Sequence, residues 1–224
     1  MSVDWSPLLL SLQIASLAMI VSLVVGTALA LGLSWRRLPA RDLFDALVSA
    51  PLVLPPTVLG YYLLVLLGNN NAIGRAWHWL TGGSIVFTFG GAVIAASVGS
   101  VPFVVRAVRV GLAAVDPALI AAARTLGARR WRVLVTIVLP LAAPGMVAGA
   151  MLAFARALGD YGITQMVAGQ LIHNTETASI HVVNALYVGD DAAARDLALV
   201  TTVVGVGLLY LANRVTRRFE RRWL

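Results

Sequence analysis

Residues 8–34 read LLLSLQIASLAMIVSLVVGTALALGLS and contain no charged residue. A transmembrane helix needs about 20 mainly apolar residues, because each residue advances the helix by about 1.5 Å across a hydrocarbon core about 30 Å thick. This stretch is longer than that, and it is also longer than the apolar part of a secretory signal peptide, about 7–15 residues. Its nearest basic residues follow it instead of preceding it. We therefore interpret it as a retained membrane span.

The composition of the whole chain agrees with a membrane protein. Of its 224 residues, 59% are hydrophobic and 12% are charged, and the mean hydropathy is +0.86. Soluble domains carry about 25% charged residues. The absence of cysteine excludes disulfides and thiolate metal sites. The three histidines, His78, His173 and His181, are dispersed, so we predict no metal site.

Further apolar stretches follow the first, and we predict five spans: residues 8–34, 46–68, 85–105, 133–158 and 197–213. The last is short for a span, so its helix is expected to extend into both flanks. Residues 162–188 mix apolar and polar side chains, which indicates a re-entrant or surface segment facing a cavity, with a sixth span as the alternative. The predicted fold is an all-α membrane protein, a bundle of five or six transmembrane helices in one domain, residues 1–224.

The arginines predict the orientation of this bundle. All 17 basic residues are arginine. Most lie in alternate connections, after the first, third and fifth spans: Arg36, Arg37 and Arg41; Arg106, Arg109, Arg124, Arg129, Arg130 and Arg132; Arg214, Arg217, Arg218, Arg221 and Arg222. Because arginine-rich connections remain on the cytoplasmic side, we expect the N-terminus outside and the C-terminus inside. Arginines that flank apolar runs do not form a continuous basic surface, so no nucleic-acid partner is predicted.

One of these arginine-rich connections carries a helix-turn-helix pattern. Asp116-Pro117 is a favourable helix start, with Asp as the N-cap and Pro at the first helical position. Gly127 is placed to end this helix in a left-handed conformation. Two short helices joined at Gly127 would form a knob that protrudes between the third and fourth spans. On the residues alone, a helix lying on anionic lipid headgroups is an alternative.

This segment resembles the coupling motif of type I ABC importer permeases. The motif is Ala-Ala, three residues, Gly, nine residues and Ile-x-Leu-Pro, and residues 117–140 contain it with the same spacing. In that family the segment docks onto a cytoplasmic ATPase and transmits its motion. The resemblance assigns this role to Ala121, Ala122, Ala123, Arg124, Gly127, Ile137, Leu139 and Pro140. Ala121 stands where the family usually has Glu, so this position offers no carboxylate for a salt bridge, while the backbone shape does not depend on that side chain.

Two more segments narrow the resemblance. Residues 51–61, PLVLPPTVLGY, resemble molybdate permeases, and residues 154–162, FARALGDYG, are similar to molybdate and sulfate permeases. The resemblance implies a permease for a tetrahedral oxyanion, molybdate or tungstate, with sulfate or thiosulfate and, more distantly, phosphate as alternatives. It also implies a homodimer in the bacterial cytoplasmic (inner) membrane, with two cytoplasmic ATPase subunits and an extracytoplasmic oxyanion-binding protein as partners.

Six residues are candidates for the anion path: Pro55, Pro56, Thr57, Gly60, Arg156 and Asp160. The two prolines must interrupt the helical hydrogen bonds of the second span. Thr57 and Gly60 beside the break can then offer hydroxyl and backbone contacts to an anion, with a simple packing kink as the alternative. Arg156 can hold a dianion through paired hydrogen bonds. Because Asp160 lies one helical turn on, we favour an ion pair; snorkelling of Arg156 to the interface is a third possibility.

The residues argue against catalysis by this chain. There is no lysine, and so no phosphate-binding loop of the glycine–lysine type. We expect a separate subunit to hydrolyse ATP and this chain to bind no cofactor. An intramembrane enzyme would need a catalytic pair inside the spans, but the predicted spans contain no histidine and no acidic residue except Asp160 at an edge. A structural or sensory membrane subunit would not need the coupling motif. We therefore predict a transport subunit without catalytic residues.

Overall fold

Helices account for most of the chain. The structure, a computed structural model, describes residues 5–34, 40–171 and 175–223, without the side chains of 212 and 215–223. Within those ranges it contains eleven α-helices and one π-helical turn: α1 Ser6–Leu33, α2 Arg41–Val53, α3 Pro56–Leu67, α4 Ala72–Thr81, α5 Phe89–Ala113, α6 Pro117–Thr125, α7 Arg130–Val133, the π turn Leu134–Val138, α8 Leu139–Leu158, α9 Gly162–Ala168, α10 Ala178–Val188 and α11 Asp191–Trp223. The predicted all-α class is confirmed.

Some residues named in the sequence analysis lie outside the described part of the chain. Arg36, Arg37 and His173 are not described, and of Arg217, Arg218, Arg221 and Arg222 the side chains are not described.

Four of the predicted spans are formed by helices long and apolar enough to cross a membrane. These are α1, α5, the continuous helical segment Arg130–Leu158 and the Asp191–Leu211 part of α11. The last extends the predicted residues 197–213 in the N-terminal direction and α11 extends it in the other, as its short apolar run required. The third span is displaced from its predicted bounds of 85–105. It starts at Phe89 because the Thr88 hydroxyl accepts a hydrogen bond from the Gly91 N–H at 3.1 Å and so caps the helix. It continues past the predicted end to Ala113, because Arg106 and Arg109 can extend their charged ends toward water without interrupting the helix.

The second predicted span is bent more sharply than a kink. Its two helices, α2 and α3, meet at 116°. Leu54 and Pro55 between them are extended, with ψ of 137° at both residues. A residue that precedes proline is pushed out of the helical region, and here two consecutive residues precede one. The predicted interruption is confirmed, but neither helix spans a membrane alone, since α2 has 13 residues and α3 has 12.

Residues 162–188 do not form a sixth span in the described structure. The seven-residue α9 is largely buried and packs against α3 and α5, where Ile163 and Val167 join an apolar cluster with Leu59, Leu63 and Ala95. The eleven-residue α10 is shorter than the about 20 residues that a span needs, and it packs against α11 and α1.

Small residues bring the central helices together. A Cβ atom on Gly145 of α8 would lie 2.7 Å from the Ala107 carbonyl oxygen and 2.8 Å from Gly111 Cα of α5. Ala92, Ala95 and Ala96 of α5 are buried as well. Close approach at small residues is the usual way in which membrane helices associate. Helix α5 therefore lies at the centre, between α1 and α8.

We expect Gly145→Ala to destabilise the protein, because the added methyl group meets backbone atoms that cannot move alone. Overpacking of this kind costs about 1–3 kcal/mol, which corresponds to a fall of about 3–10 °C in the thermal unfolding midpoint in detergent. Gly207→Ala is the matched control, since a Cβ there meets nothing within 4 Å. It should leave the midpoint unchanged or raise it slightly. An unchanged midpoint for Gly145→Ala would contradict the contact between α5 and α8.

Candidate functional site

The segment 117–140 folds as the predicted pair of short helices. The Asp116 carboxylate caps α6 by accepting a hydrogen bond from the Ala118 N–H at 2.8 Å. Gly127 follows α6 with φ of +81°, a left-handed conformation in which a Cβ is strained. The turn is closed by hydrogen bonds from the Gly127 N–H to the Arg124 carbonyl and from the Ala128 N–H to the Ala123 carbonyl, at 3.0 and 3.1 Å. Helix α7 begins three residues later.

The surface of this knob is apolar and exposed. Helix α6 has no buried residue, and the predicted Ala121, Ala122, Arg124 and Gly127 are all exposed. Ala123 is half-buried. Large side chains beside them are more exposed still: Leu126 is 88% and Trp131 is 71% exposed. Large apolar side chains exposed on one arginine-rich connection are typical of a surface that another molecule covers.

Trp131 is the residue of this surface that sequence analysis missed. It lies between Arg130 and Arg132, and its signal was an aromatic side chain inside an arginine-rich connection. The structure exposes it on the same knob as Leu126.

The knob continues without a break into the fourth span. A π turn, Leu134–Val138, joins α7 to α8, and the Leu139 N–H bonds back to the Leu134 carbonyl. Proline cannot donate the usual helical hydrogen bond, and a π turn is one way to keep a helix continuous beside such a residue. Ile137 and Leu139 are half-buried and Pro140 is exposed. The predicted docking residues are thus attached to one helical segment, Arg130–Leu158.

At the far end of that segment, Arg156 and Asp160 form the ion pair that we favoured. Arg156 Nη1 donates a hydrogen bond to Asp160 Oδ1 at 2.8 Å. The Thr164 N–H and hydroxyl donate to the other carboxylate oxygen, Oδ2, at 2.9 and 2.7 Å. The Asp160 side chain is 2% exposed and that of Arg156 is 27% exposed. The carboxylate therefore connects α8 to α9.

The glycine at position 99 of α5 makes room for Ile163 of α9 beside this guanidinium. A Cβ on Gly99 would lie 3.7 Å from Arg156 Nη2 and 2.7 Å from the Ile163 side chain. Three helices, α5, α8 and α9, thus meet around the ion pair. A guanidinium has five N–H donors, so a single bond from Nη1 leaves others for a second acceptor.

The broken span lies against the other side of α9. A Cβ on Gly60 would be 2.8 Å from Met166 Cβ, and one on Gly162 would be 2.9 Å from Pro56 Cβ. Gly60 is therefore buried by close packing, whereas Pro55, Pro56 and Thr57 are exposed. The structure does not bring Gly60 to the open surface beside Thr57.

A double-mutant cycle tests the ion pair. Breaking a buried pair by removing one partner leaves an uncompensated charge, so Arg156→Gln and Asp160→Asn should each lower the unfolding midpoint. The double variant should recover part of the loss, with a coupling free energy of about 1–3 kcal/mol. The matched control is Arg195 and Asp196, a pair whose side chains are 70% and 46% exposed. Its coupling should stay below about 1 kcal/mol. Equal coupling free energies in the Arg156–Asp160 and Arg195–Asp196 pairs would contradict the expectation that burial strengthens the first pair.

The fold defines a class of protein: a multi-pass α-helical membrane protein, here with an exposed helical knob between two of its spans. Comparison with known families narrows that class. Residues 9–224 match the family described as "Binding-protein-dependent transport system inner membrane component".

Individual relatives agree with the family match. The chain is 40% identical over 225 residues to the molybdenum transport system permease protein ModB of Escherichia coli (strain K12), covering 98% of this chain and 96% of that one. It is 36% identical over 208 residues to the sulfate transport system permease protein CysT of the same strain, covering 93% and 75%. The structure is similar to the MetNI methionine ABC transporter in inward-facing conformations, with a TM-score of 0.74, 18% identity and coverage of 95% and 94%.

The chain belongs to the family of binding-protein-dependent transport system inner membrane components. The predicted relation to ABC importer permeases is confirmed, and so is a multi-pass protein of the inner membrane. Because the family consists of transport components, the alternatives of an intramembrane enzyme and of a purely structural or sensory subunit are excluded.

Proposed function

We propose that this chain is the permease subunit of an ATP-driven importer for molybdate, with tungstate as a substrate of the same chemistry. The assignment of molybdate as the substrate rests on the 40% identity to a molybdenum permease, over nearly the whole of both chains. Sulfate is the second candidate, supported by the 36% identity to a sulfate permease of which 75% is covered.

The partners follow from the exposed surfaces and the family. The knob around Leu126 and Trp131 offers an uncovered apolar surface that fits a groove on a cytoplasmic ATPase. A second copy of the chain would complete the translocation path, with one ATPase under each copy. The name of the family indicates a binding protein, and we propose that this protein is extracytoplasmic and delivers the oxyanion. The N-terminus would lie outside and the C-terminus inside, so that the knob faces the ATPase.

In this proposal the segment Arg130–Leu158 acts as a lever. Its 29 residues reach about 43 Å at about 1.5 Å per residue, which is enough to cross the membrane. ATP binding would draw the two knobs together and favour an outward-open state, and hydrolysis would return the inward-open state. Such a change requires only that the ATPase binds the two states with different affinity.

The ion pair would transmit this movement to the path. Asp160 holds Thr164 of α9, and α9 packs against the break at Pro56. We assign Arg156 and Asp160 a positioning role, with Thr57 at the exposed break as a transient contact for the anion. A neutral ion pair suits transport of a dianion better than an unpaired arginine, since a fixed excess charge in the path would slow release.

Reconstitution in liposomes with the ATPase tests the substrate. We expect the molybdate-loaded binding protein to stimulate ATP hydrolysis and molybdate uptake several-fold more than the sulfate-loaded sulfate-binding protein does. The reverse order would assign the sulfate function, and the absence of stimulation by either would overturn the importer proposal. Unloaded binding protein is the control for stimulation without substrate.

Substitution at Gly127 tests the knob. Gly127→Val forces a β-branched residue into a left-handed conformation at a cost of about 1–2 kcal/mol, which lowers the equilibrium constant for forming the docking-competent turn about tenfold. Uptake should fall by up to that factor while the ATPase remains able to hydrolyse ATP. Gly127→Asn should be milder, because Asn tolerates this conformation.

The matched control for this strain is Gly189→Val. Gly189 has φ of +82°, against +81° at Gly127, and a Cβ meets nothing within 4 Å at either position. If uptake falls equally in both valine variants, the effect is strain alone and the docking role is wrong.

A further inference from the structure

A cavity of about 870 Å³ opens at the end of the bundle where α1 and α5 end and α2 and α6 begin. Three arginines line it: Arg41 at the first position of α2, and Arg106 and Arg109 one turn apart on α5. The rest of its wall includes apolar side chains such as Val110 and Ile120. Pro117 and Ile120 belong to α6 of the coupling segment, so the cavity adjoins that segment, whereas the Arg156–Asp160 pair is not among its lining residues.

The charges around the cavity are not balanced. Arg109 Nη1 donates a hydrogen bond to Asp45 Oδ1 at 2.7 Å, which fixes that guanidinium and neutralises it. The guanidinium groups of Arg41 and Arg106 have no ion-pair or hydrogen-bond partner among the residues whose side chains the structure describes, 5–34, 40–171, 175–211, 213 and 214. Two guanidinium groups are therefore available at a cavity that already has one fixed arginine.

The start of α2 adds to the positive potential on this wall. Its N-cap residue, Ala40, gives no side-chain hydrogen bond to the first turn, so the Arg41 N–H is uncapped by a side chain. The N-terminus of a helix carries a partial positive charge and orients N–H groups outward. Asp42 in the same turn offsets part of this effect, but it is exposed and does not line the cavity.

We propose that Arg41, Arg106 and Arg109 form a binding site for a tetrahedral oxyanion group of the phosphate class. The planar guanidinium matches the oxygen spacing of such a group and donates paired hydrogen bonds to it. Two sources share this chemistry: the phosphodiester of an anionic phospholipid headgroup, and a free oxyanion. The volume lies in the range of ligand pockets of about 300–1,000 Å³, and the apolar wall suits the glycerol end of a lipid.

The cytoplasmic position of this site rests on the orientation in the proposed function. The cytoplasmic leaflet carries the anionic lipids that basic pockets between membrane helices bind. Binding is measured separately from transport, so the two proposals can fail independently. A transporter that takes up molybdate but binds no oxyanion group here would refute only the site, and one that binds but does not transport molybdate would refute only the function.

The experiment uses the intact transporter, with its ATPase, purified in detergent and observed by native mass spectrometry. One arm titrates phosphatidylglycerol against phosphatidylcholine with the same acyl chains. The other arm measures binding of sodium molybdate by equilibrium dialysis without added lipid. Each arm compares the wild type with Arg106→Gln, Arg106→Lys and the control Arg214→Gln, an exposed arginine on α11 that does not line the cavity.

We expect phosphatidylglycerol to be retained in preference to phosphatidylcholine. Arg106→Gln should weaken this retention about tenfold, the effect of one charge-assisted hydrogen bond, and Arg106→Lys should have a smaller effect. Arg214→Gln should leave it unchanged. Loss of molybdate binding in Arg106→Gln, without preference for phosphatidylglycerol, would assign the site to a free oxyanion. If neither probe binds, or if binding does not depend on Arg106, the proposal is overturned.

Discussion

The contact between the backbones of α5 and α8 determines where the other helices lie. At Gly111 and Gly145 the backbones of the two helices approach so closely that neither position has room for a Cβ. Lipid supplies no hydrophobic force between helices, so packing of small residues must hold them. Val104 of α5 extends the same arrangement, since Gly26 of α1 and Gly149 of α8 both pack against it. These three spans form one unit, and the broken span and α9 are placed by packing on it.

This contact fixes α8 between two features of the structure. One end continues through the π turn into the exposed knob, and the other ends at the Arg156–Asp160 pair. Because α8 packs against α5 at several points along its length, the proposed displacement of the knob would move α8 as a unit. The Asp160 carboxylate would then transmit that displacement to α9 through Thr164, and α9 would transmit it to α3, where Gly60 and Gly162 allow close contact.

Features set by neighbouring residues were predictable, and features set by distant ones were not. Asp116 and Gly127 define the knob within a few residues, and Arg156 and Asp160 are one helical turn apart, so the sequence alone was enough. The 116° angle between α2 and α3 could not be predicted from the sequence. Pro55 and Pro56 cause the break, but the direction of α3 after it depends on packing against α9. The burial of Gly60 follows from the same packing.

The pair between Asp45 and Arg109 illustrates the same limit in the charges. Its partners are 64 positions apart in the sequence, and no local spacing connects them. Hydropathy likewise placed the third span but not its ends, since the cap at Thr88 and the tolerance of α5 for Arg106 depend on side-chain geometry. Length and apolarity are thus properties of a segment, while angles and ion pairs are properties of an assembled bundle.

Arg156 is paired with a carboxylate, whereas Arg41 and Arg106 at the cavity are not paired among the described side chains. This difference in charge balance has a physical reason. Arg156 lies among three packed helices, where an uncompensated charge is costly, and a buried carboxylate neutralises it. Arg41 and Arg106 lie at an open cavity at the end of the bundle, where solvent and headgroups reduce that cost. In the proposed function, a dianion crossing the protein would therefore meet a neutral pair at the end of α8 and excess positive charge at the open cavity, where it can exchange with water. An anion would then cross without being held by a fixed excess charge.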